Sequence, residues 1–220
     1  MEYTETDNRL IKTQQFWDKQ ANKYDAAEIQ FASVYKDIIV RTRKYLTAND
    51  HVLDFGCATG TKTLQLADGV NHIHGLDFSA EMIKEAVKKK DNTNVQNISF
   101  SQGTIYDEKL KSVSFDSIIA YGILHLLVDK EKAVRRIFEL LKPGGLFIST
   151  TACFKEKMAF RNRLEFTAFV CSKRLGISPL HLNMFSAGDV KELMVHHGFQ
   201  LIEAEKLFTG ISSVFCVARK

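Results

Sequence analysis

Apolar positions along this chain recur in two rhythms, and the change between them falls at residue 51. Before it, Phe31, Val34, Tyr35, Ile38, Thr42, Tyr45 and Leu46 follow the i, i+3, i+4, i+7 spacing of a helix with one buried face. Upstream, residues 14–25 (QQFWDKQANKYD) read as a shorter helix with an exposed polar side. After residue 51, short apolar runs alternate with amphipathic segments. Residues 51–55, 71–76, 97–101, 115–120 and 146–150 read as strands, with helices at 61–68, after Ser79, and around Val134, Ile137, Phe138 and Leu141. Ser79 is a good N-cap for a helix carrying Met82, Ile83, Ala86 and Val87. Lys142-Pro143-Gly144-Gly145 is expected to stop the helix before it and turn the chain into strand 146–150. Strand–helix units repeated in this way imply a parallel sheet covered on both faces.

The rhythm breaks over 152–183, where Phe154, Met158, Phe160, Leu164, Phe166, Phe169, Val170 and Leu175 are scattered among six basic residues between 155 and 174. This segment reads as a long, mostly helical insertion. Regularity resumes at Ser186, whose SAGD box caps a helix bearing Val190, Leu193 and Met194 that ends at Gly198. Residues 199–206 and 212–218 then form an antiparallel hairpin. The chain is therefore expected to be one domain over 1–220: N-terminal helices (1–48), a core (49–150), the insertion (152–183), and a final helix and hairpin (184–220).

Composition narrows the function classes. With 45% hydrophobic and 25% charged residues and a net charge of +4, the 220-residue chain has the makeup of an ordinary globular protein. Its basic residues form no dense patch, so nucleic-acid binding is not indicated; Lys88, Lys89 and Lys90 suit the C-terminus of a helix instead. The four cysteines (57, 153, 171, 216) have neither metal-site nor disulfide-framework spacing, which points to reduced, mostly packed thiols and no metal. The polar start, MEYTETDNRLIK, lacks the apolar core of a signal peptide, and the apolar run 118–128 is too short to span a bilayer, so a cytoplasmic location is expected.

The chemistry concentrates in residues 52–60, VLDFGCATG. A strand ending in Asp-x-Gly and turning through small residues into a helix lets a ligand approach the backbone and the helix N-terminus. Asp77, at the end of the second strand, is placed to hold ribose hydroxyls. The Gly56-x-x-x-Gly60 spacing departs from the pyrophosphate cradle G-x-G-x-x-G. Asp54, two positions before Gly56, would repel a diphosphate and welcome a cation. S-adenosylmethionine, with no phosphate and with sulfonium and ammonium groups, fits.

These residues resemble the class I S-adenosylmethionine-dependent methyltransferases. VLDFGCATG is similar to their first motif, with Ala58 in place of the middle glycine; it carries Asp54, Gly56, Cys57 and Gly60. GLDFS (75–79) is similar to the second, whose acidic residue binds the ribose. That resemblance assigns the ribose to Asp77 and adenine packing to Phe78 and Met82. FSQGTIYD matches the segment at the adenine edge, with Thr104 where the family usually has aspartate, leaving the Ile105 backbone N–H as donor. FDSIIAYGILHLL, with Ala120 and Tyr121 at the cofactor, and LKPGGLFIST resemble the motifs of the fourth strand and the turn into the fifth. The matches cover about residues 50–150, with weaker support from FWDKQANKYD and HHGF. The resemblance implies an α/β, Rossmann-like, seven-stranded, mostly parallel sheet in order 3-2-1-4-5-7-6, the last strand antiparallel, with helices on both faces. The implied reaction is SN2 transfer of a methyl group from the sulfonium to a nucleophile.

Two residues are candidates for the chemical step. Tyr24 in ANKYD is similar to a tyrosine that closes over the cofactor in small-molecule members; otherwise it packs one helix on another. His125, just past the fourth strand, is either a general base or a packed loop histidine. The aromatic content of 152–183 points to a small hydrophobic or aromatic acceptor, and its basic residues allow an anionic substrate group or weak contact with a membrane surface. An RNA or protein methyltransferase and a non-catalytic, cofactor-binding regulatory protein are the rival readings. Monomer and homodimer stay open.

Overall fold

The computed structural model describes residues 5–220. Its strands are β1 (His51–Phe55), β2 (His72–Asp77), β3 (Ile98–Gln102), β4 (Phe115–Tyr121), β5 (Leu141–Ala152), β6 (Gln200–Phe208) and β7 (Ser212–Arg219). The described residues form one seven-stranded sheet in the order β3-β2-β1-β4-β5-β7-β6. Neighbours from β3 to β5 pair in parallel, while β7 runs antiparallel to both β5 and β6. The expected Rossmann-like topology is therefore present.

Both faces of the sheet are buried, which is why the central strands read as continuous apolar runs rather than alternating ones. Alternate residues feed two cores. Leu53, Ile118 and Phe147 face Val134 and Ile137 of α5 (Lys130–Leu140) and Val190 and Met194 of α7 (Ala187–His196). Their chain neighbours Val52, Ile119 and Ile148 face Ile38 and Ile39 of α2 (Ala32–Arg43) and Leu66 of α3 (Thr61–Leu66). Ser79 caps α4 (Ala80–Asp91) by accepting the Met82 N–H at 3.2 Å. Ser186 and Asp189 form the reciprocal capping box of α7.

Three boundaries differ from expectation. The N-terminal helix α1 runs over Glu5–Glu28 rather than 14–25, because its polar sequence gives no apolar stripe to mark its ends. The helix before Pro143 ends at Leu140, and β5 already begins at Leu141, paired with Phe115. A register shift between Phe115 and Ser117 absorbs the Pro-Gly-Gly irregularity, and Gly145 lies where a Cβ would come within 2.9 Å of the Asp116 carbonyl. In the insertion, only Phe160–Arg174 is helical (α6), and none of its residues is fully buried. Short links tether it: the Ala159 N–H donates to Gly210 O at 2.7 Å, and the Lys155 N–H to Phe185 O at 3.0 Å. Among the described residues no helix is long and apolar enough to cross a membrane.

Candidate active site

The chain leaves β1 toward β2 and β3 on one side, then crosses to β4 on the other. The crevice beyond the carboxyl ends of β1 and β4 is thus the topological switch point, where open α/β sheets bind ligands. Residues 56–60 fill it with a tight turn. Gly56 (φ +77°) and Gly60 (φ +73°) are left-handed, and so is Ala58 (φ +48°), where an L side chain is strained. Gly56 and Cys57 both donate N–H groups to Leu76 O, at 2.8 and 3.1 Å, fastening the turn to the end of β2. A Cβ on Gly56 would lie 2.4 Å from Ile123, and one on Gly60 2.7 Å from the Phe100 ring. At both glycine positions a side chain would be crowded.

Asp77 sits at its rim. One carboxylate oxygen accepts the Ala58 N–H at 3.0 Å and the other the Ser79 N–H at 2.9 Å. Burial raises its pKa above the ordinary value, against those two hydrogen bonds. Asp54 lies beneath the turn, 2% exposed, with Thr63 donating to it at 2.6 Å. Burial lifts its pKa to about 6, the Thr63 hydrogen bond and the Lys62 charge only partly opposing this.

Helix α1 lies across this turn and is held there by polar contacts that the sequence reading missed. Asp18 accepts the Ser79 hydroxyl at 2.6 Å, at the N-terminus of α4, where a carboxylate suits the helix dipole. Asp25 accepts the hydroxyls of Thr59 and Thr61 at 2.6 and 3.2 Å and pairs with Lys89 at 2.5 Å. Burial tends to raise the Asp25 pKa, but Lys89 and the two threonines hold it below its ordinary value. Glu28 pairs with Lys62 at 2.6 Å. Asp18, Ala21, Asp25 and Glu28 share one helical face, a 3-4-3 spacing that was the available signal. Lys89, read only as a helix-end cation, thus also ties α4 to α1.

Tyr24 is on the same helix, edge-on to Trp17 at 6.3 Å. Burial and the neighbouring Glu28 raise its pKa well above the ordinary value, and the Asp77 charge also reaches it. Its phenol therefore stays protonated. His125 lies in a 3-10 turn (Leu124–Leu126) after β4, edge-on to Phe154 at 5.5 Å, and Phe154 stacks on Phe166 of α6 at 5.0 Å. Burial lowers the His125 pKa to about 4, and its Nδ1 is enclosed without a hydrogen-bond partner. The imidazole is neutral, with one ring nitrogen unused.

The remaining candidates divide. Phe78 is half-buried beside Asp77. Ile105 is buried as a core anchor, which fixes its backbone, whereas Thr104 is exposed and accepts the Tyr106 N–H in a local turn. Two side chains at the end of β4 pack into the cores. The Ala120 side chain points into the α5–α7 core, and the Tyr121 hydroxyl bonds Thr42 of α2, because successive strand residues point to opposite, equally buried faces. Met82 is enclosed on the inner side of α4, and the Cys57 thiol packs toward Gly75, with its pKa raised by burial. Of the four cysteines, Cys57, Cys153 and Cys216 are buried and Cys171 is exposed.

A glycine-type turn on β1, an acidic residue ending β2 and a 3-2-1-4-5-7-6 sheet together define a class I S-adenosylmethionine-dependent methyltransferase. The family model "Methyltransferase domain" matches residues 46–193, and the chain belongs to that family. It is 28% identical to the juvenile hormone acid O-methyltransferase of Bombyx mori over 172 residues, covering 74% of this chain and 61% of the relative. It is 29% identical to the demethylmenaquinone methyltransferase of Lactococcus lactis over 171 residues, covering 70% and 68%. In fold it is similar to the 1,6-didemethyltoxoflavin-N1-methyltransferase of Burkholderia thailandensis, with a TM-score of 0.76, 14% identity, and 100% of this chain and 92% of that one covered.

Proposed function

We propose that the crevice holds S-adenosylmethionine and that the chain directs its methyl group to a small hydrophobic or aromatic acceptor. The observation that carries this reading is the Asp77 carboxylate bound to the Ala58 N–H of a left-handed turn with glycines at Gly56 and Gly60. Each carboxylate oxygen has capacity for two hydrogen bonds, so Asp77 can hold the turn and still accept two ribose hydroxyls. Phe78 supplies an aromatic surface for adenine, and the Ile105 N–H a donor to its edge. Asp54, beneath the turn, contributes a short-range negative charge suited to the cationic end of the cofactor. Bound there, S-adenosylmethionine supplies an electrophilic methyl group on a good leaving group.

The protein's own task is alignment and exclusion of water. Helix α1, latched through Asp18, Asp25 and Glu28, covers the turn, and Tyr24 closes the rim as a neutral phenol. On the acceptor side, Phe154 and Phe166 offer apolar surface, and His125 offers a free, uncharged Nδ1. So weak a base suits accepting a hydrogen bond from an acceptor O–H or N–H better than holding its proton.

The test is transfer of tritiated methyl from S-adenosylmethionine into a metabolite extract, with RNA and protein fractions run in parallel. Label is expected in small, solvent-extractable molecules. Label confined to RNA or protein would replace the acceptor class proposed here, and no label with intact cofactor binding would favour a regulatory protein.

A further inference from the structure

Helix α6 carries apolar residues on both sides. Its inner side holds Phe166, stacked on Phe154, together with the partly buried Phe169 and Val170. Its outer side carries a second stripe, Phe160, Leu164, Ala168, Cys171 and Leu175, at i, i+4, i+8, i+11 and i+15. Phe160 is 78% exposed, Leu164 57% and Leu175 74%, and Ile177 in the following turn is 72% exposed. A covering helix needs one apolar side, so the outward stripe is not explained by packing within this chain. The helix also carries Arg161, Arg163, Lys173 and Arg174 against a single acid, Glu165, which pairs with Arg161 at 3.1 Å. The first turns of α1 adjoin the same region: Thr13 donates to Pro179 O at 3.3 Å, close in sequence to the exposed Leu10 and Ile11.

We propose that the outer face of α6 and the turn at 175–177 dock on an anionic lipid bilayer. An exposed apolar stripe flanked by arginine and lysine is the makeup of a helix that lies in the interface, with its apolar residues at the acyl boundary and its cations at the phosphates. Charge favours this occupant over a second copy of the chain. Two such faces brought together would set Arg161, Arg163 and Arg174 against their own kind, whereas lipid phosphates neutralise them. The helix follows directly on the segment whose Phe154 covers His125, so docking would place the acceptor side of the crevice at the membrane.

The experiment is flotation of the full chain with phosphatidylcholine vesicles, with and without phosphatidylglycerol. Binding is expected only when phosphatidylglycerol is present, and about tenfold or more weaker at high salt, as screening of several cations requires. Phe160→Ser with Leu164→Ser, and separately Arg161→Glu with Arg163→Glu, should each weaken it by a similar factor while the melting temperature holds, since all four residues are exposed. Three results would overturn the proposal: no binding to either vesicle, equal binding to both, or a sedimentation dimer that the Phe160/Leu164 variant abolishes. No methyl transfer is read, so failure here leaves the proposed reaction standing.

Discussion

Replacing Asp77 by asparagine tests the cofactor site with the least disturbance of shape. The native carboxylate accepts two backbone N–H groups, from Ala58 at 3.0 Å and Ser79 at 2.9 Å, and has capacity left for the ribose. Asparagine keeps one acceptor oxygen and presents an NH2 where the other stood. That NH2 must face a backbone N–H, so one internal hydrogen bond is lost and one donor opposes another. A hydrogen bond to a charged group contributes about 1.5–3 kcal/mol, and about 1.4 kcal/mol is a factor of ten in affinity. Losing one such bond to the ribose therefore weakens S-adenosylmethionine binding by about 10- to 100-fold, and Asp77→Ala weakens it further. Isothermal calorimetry reads the Kd, and a 2′-deoxy analogue separates ribose contact from disturbance of the turn. If Asp77 holds that hydroxyl, the native protein discriminates against the analogue and the variant does not, a coupling that a double cycle measures. Asp116→Asn is the control, because Asp116 pairs with Lys142 at the opposite end of the sheet. An Asp77→Asn protein that stays folded and binds S-adenosylmethionine within about threefold of the native affinity would refute the assignment.

Three further outcomes follow from the same geometry. Asp54, raised from 3.8 to about 6 by burial, is costly to ionise when folded. Its cost is absent below its unfolded pKa, grows as pH rises through 3.8 toward 6, and is on the order of 3 kcal/mol above that. Asp54→Asn should therefore stabilise the unliganded protein by about 1–2 kcal/mol at pH 7, after some loss at Thr63, with the gain vanishing near pH 4 while cofactor binding weakens. A gain independent of pH in thermal melts would contradict this account. Gly75→Ala sets a Cβ 2.4 Å from the Phe100 ring and 3.0 Å from the Cys57 sulfur, and should cost about 1–3 kcal/mol by overpacking. Phe100→Leu in the same chain should recover part of that loss; failure to do so would place the strain elsewhere. Ala58→Gly relieves a left-handed alanine, worth about 1 kcal/mol, but gives the unfolded chain similar freedom. A melting temperature unchanged to within about 2 °C is expected, and a larger fall would mean that the Ala58 methyl group makes a contact of its own.

The glycine turn and the sheet were legible because each rests on a local rule. Strands buried on both faces must be apolar throughout, as Ile118, Ile119 and Ala120 are, and left-handed turns admit few residues besides glycine. Ala120 and Tyr121 were placed at the cofactor because strand position fixes height in the sheet, but their side-chain directions depended on which helices cover each face. The α1 latch was hidden for a different reason. Its contacts join Asp25 to Thr59 and Lys89, far apart in sequence, through side chains that are common on any solvated helix. Pro143 and Gly144 gave a true signal of irregular backbone and a false one of where the strand begins, since a register shift with β4 accommodates them.

The two covers of the crevice are built from opposite materials, and this bears on how the site opens. Over the cofactor turn, α1 is held by ion pairs and hydroxyl hydrogen bonds at Asp18, Asp25 and Glu28, all at least partly open to water. Each such contact is worth about 1 kcal/mol or less, and water can replace it without leaving a dry polar group unpaired. That cover can lift locally at small cost, as exchange of product for cofactor would require in the proposed reading. Over the acceptor side, Phe154, Phe166 and His125 pack ring on ring, and exposing them to water carries the hydrophobic penalty for aromatic surface. An apolar acceptor can replace those ring contacts with its own, whereas a polar one would leave them exposed. In the proposed reading, the acceptor side would select for apolarity by the contacts it must give up, and the cofactor side would stay free to exchange in water.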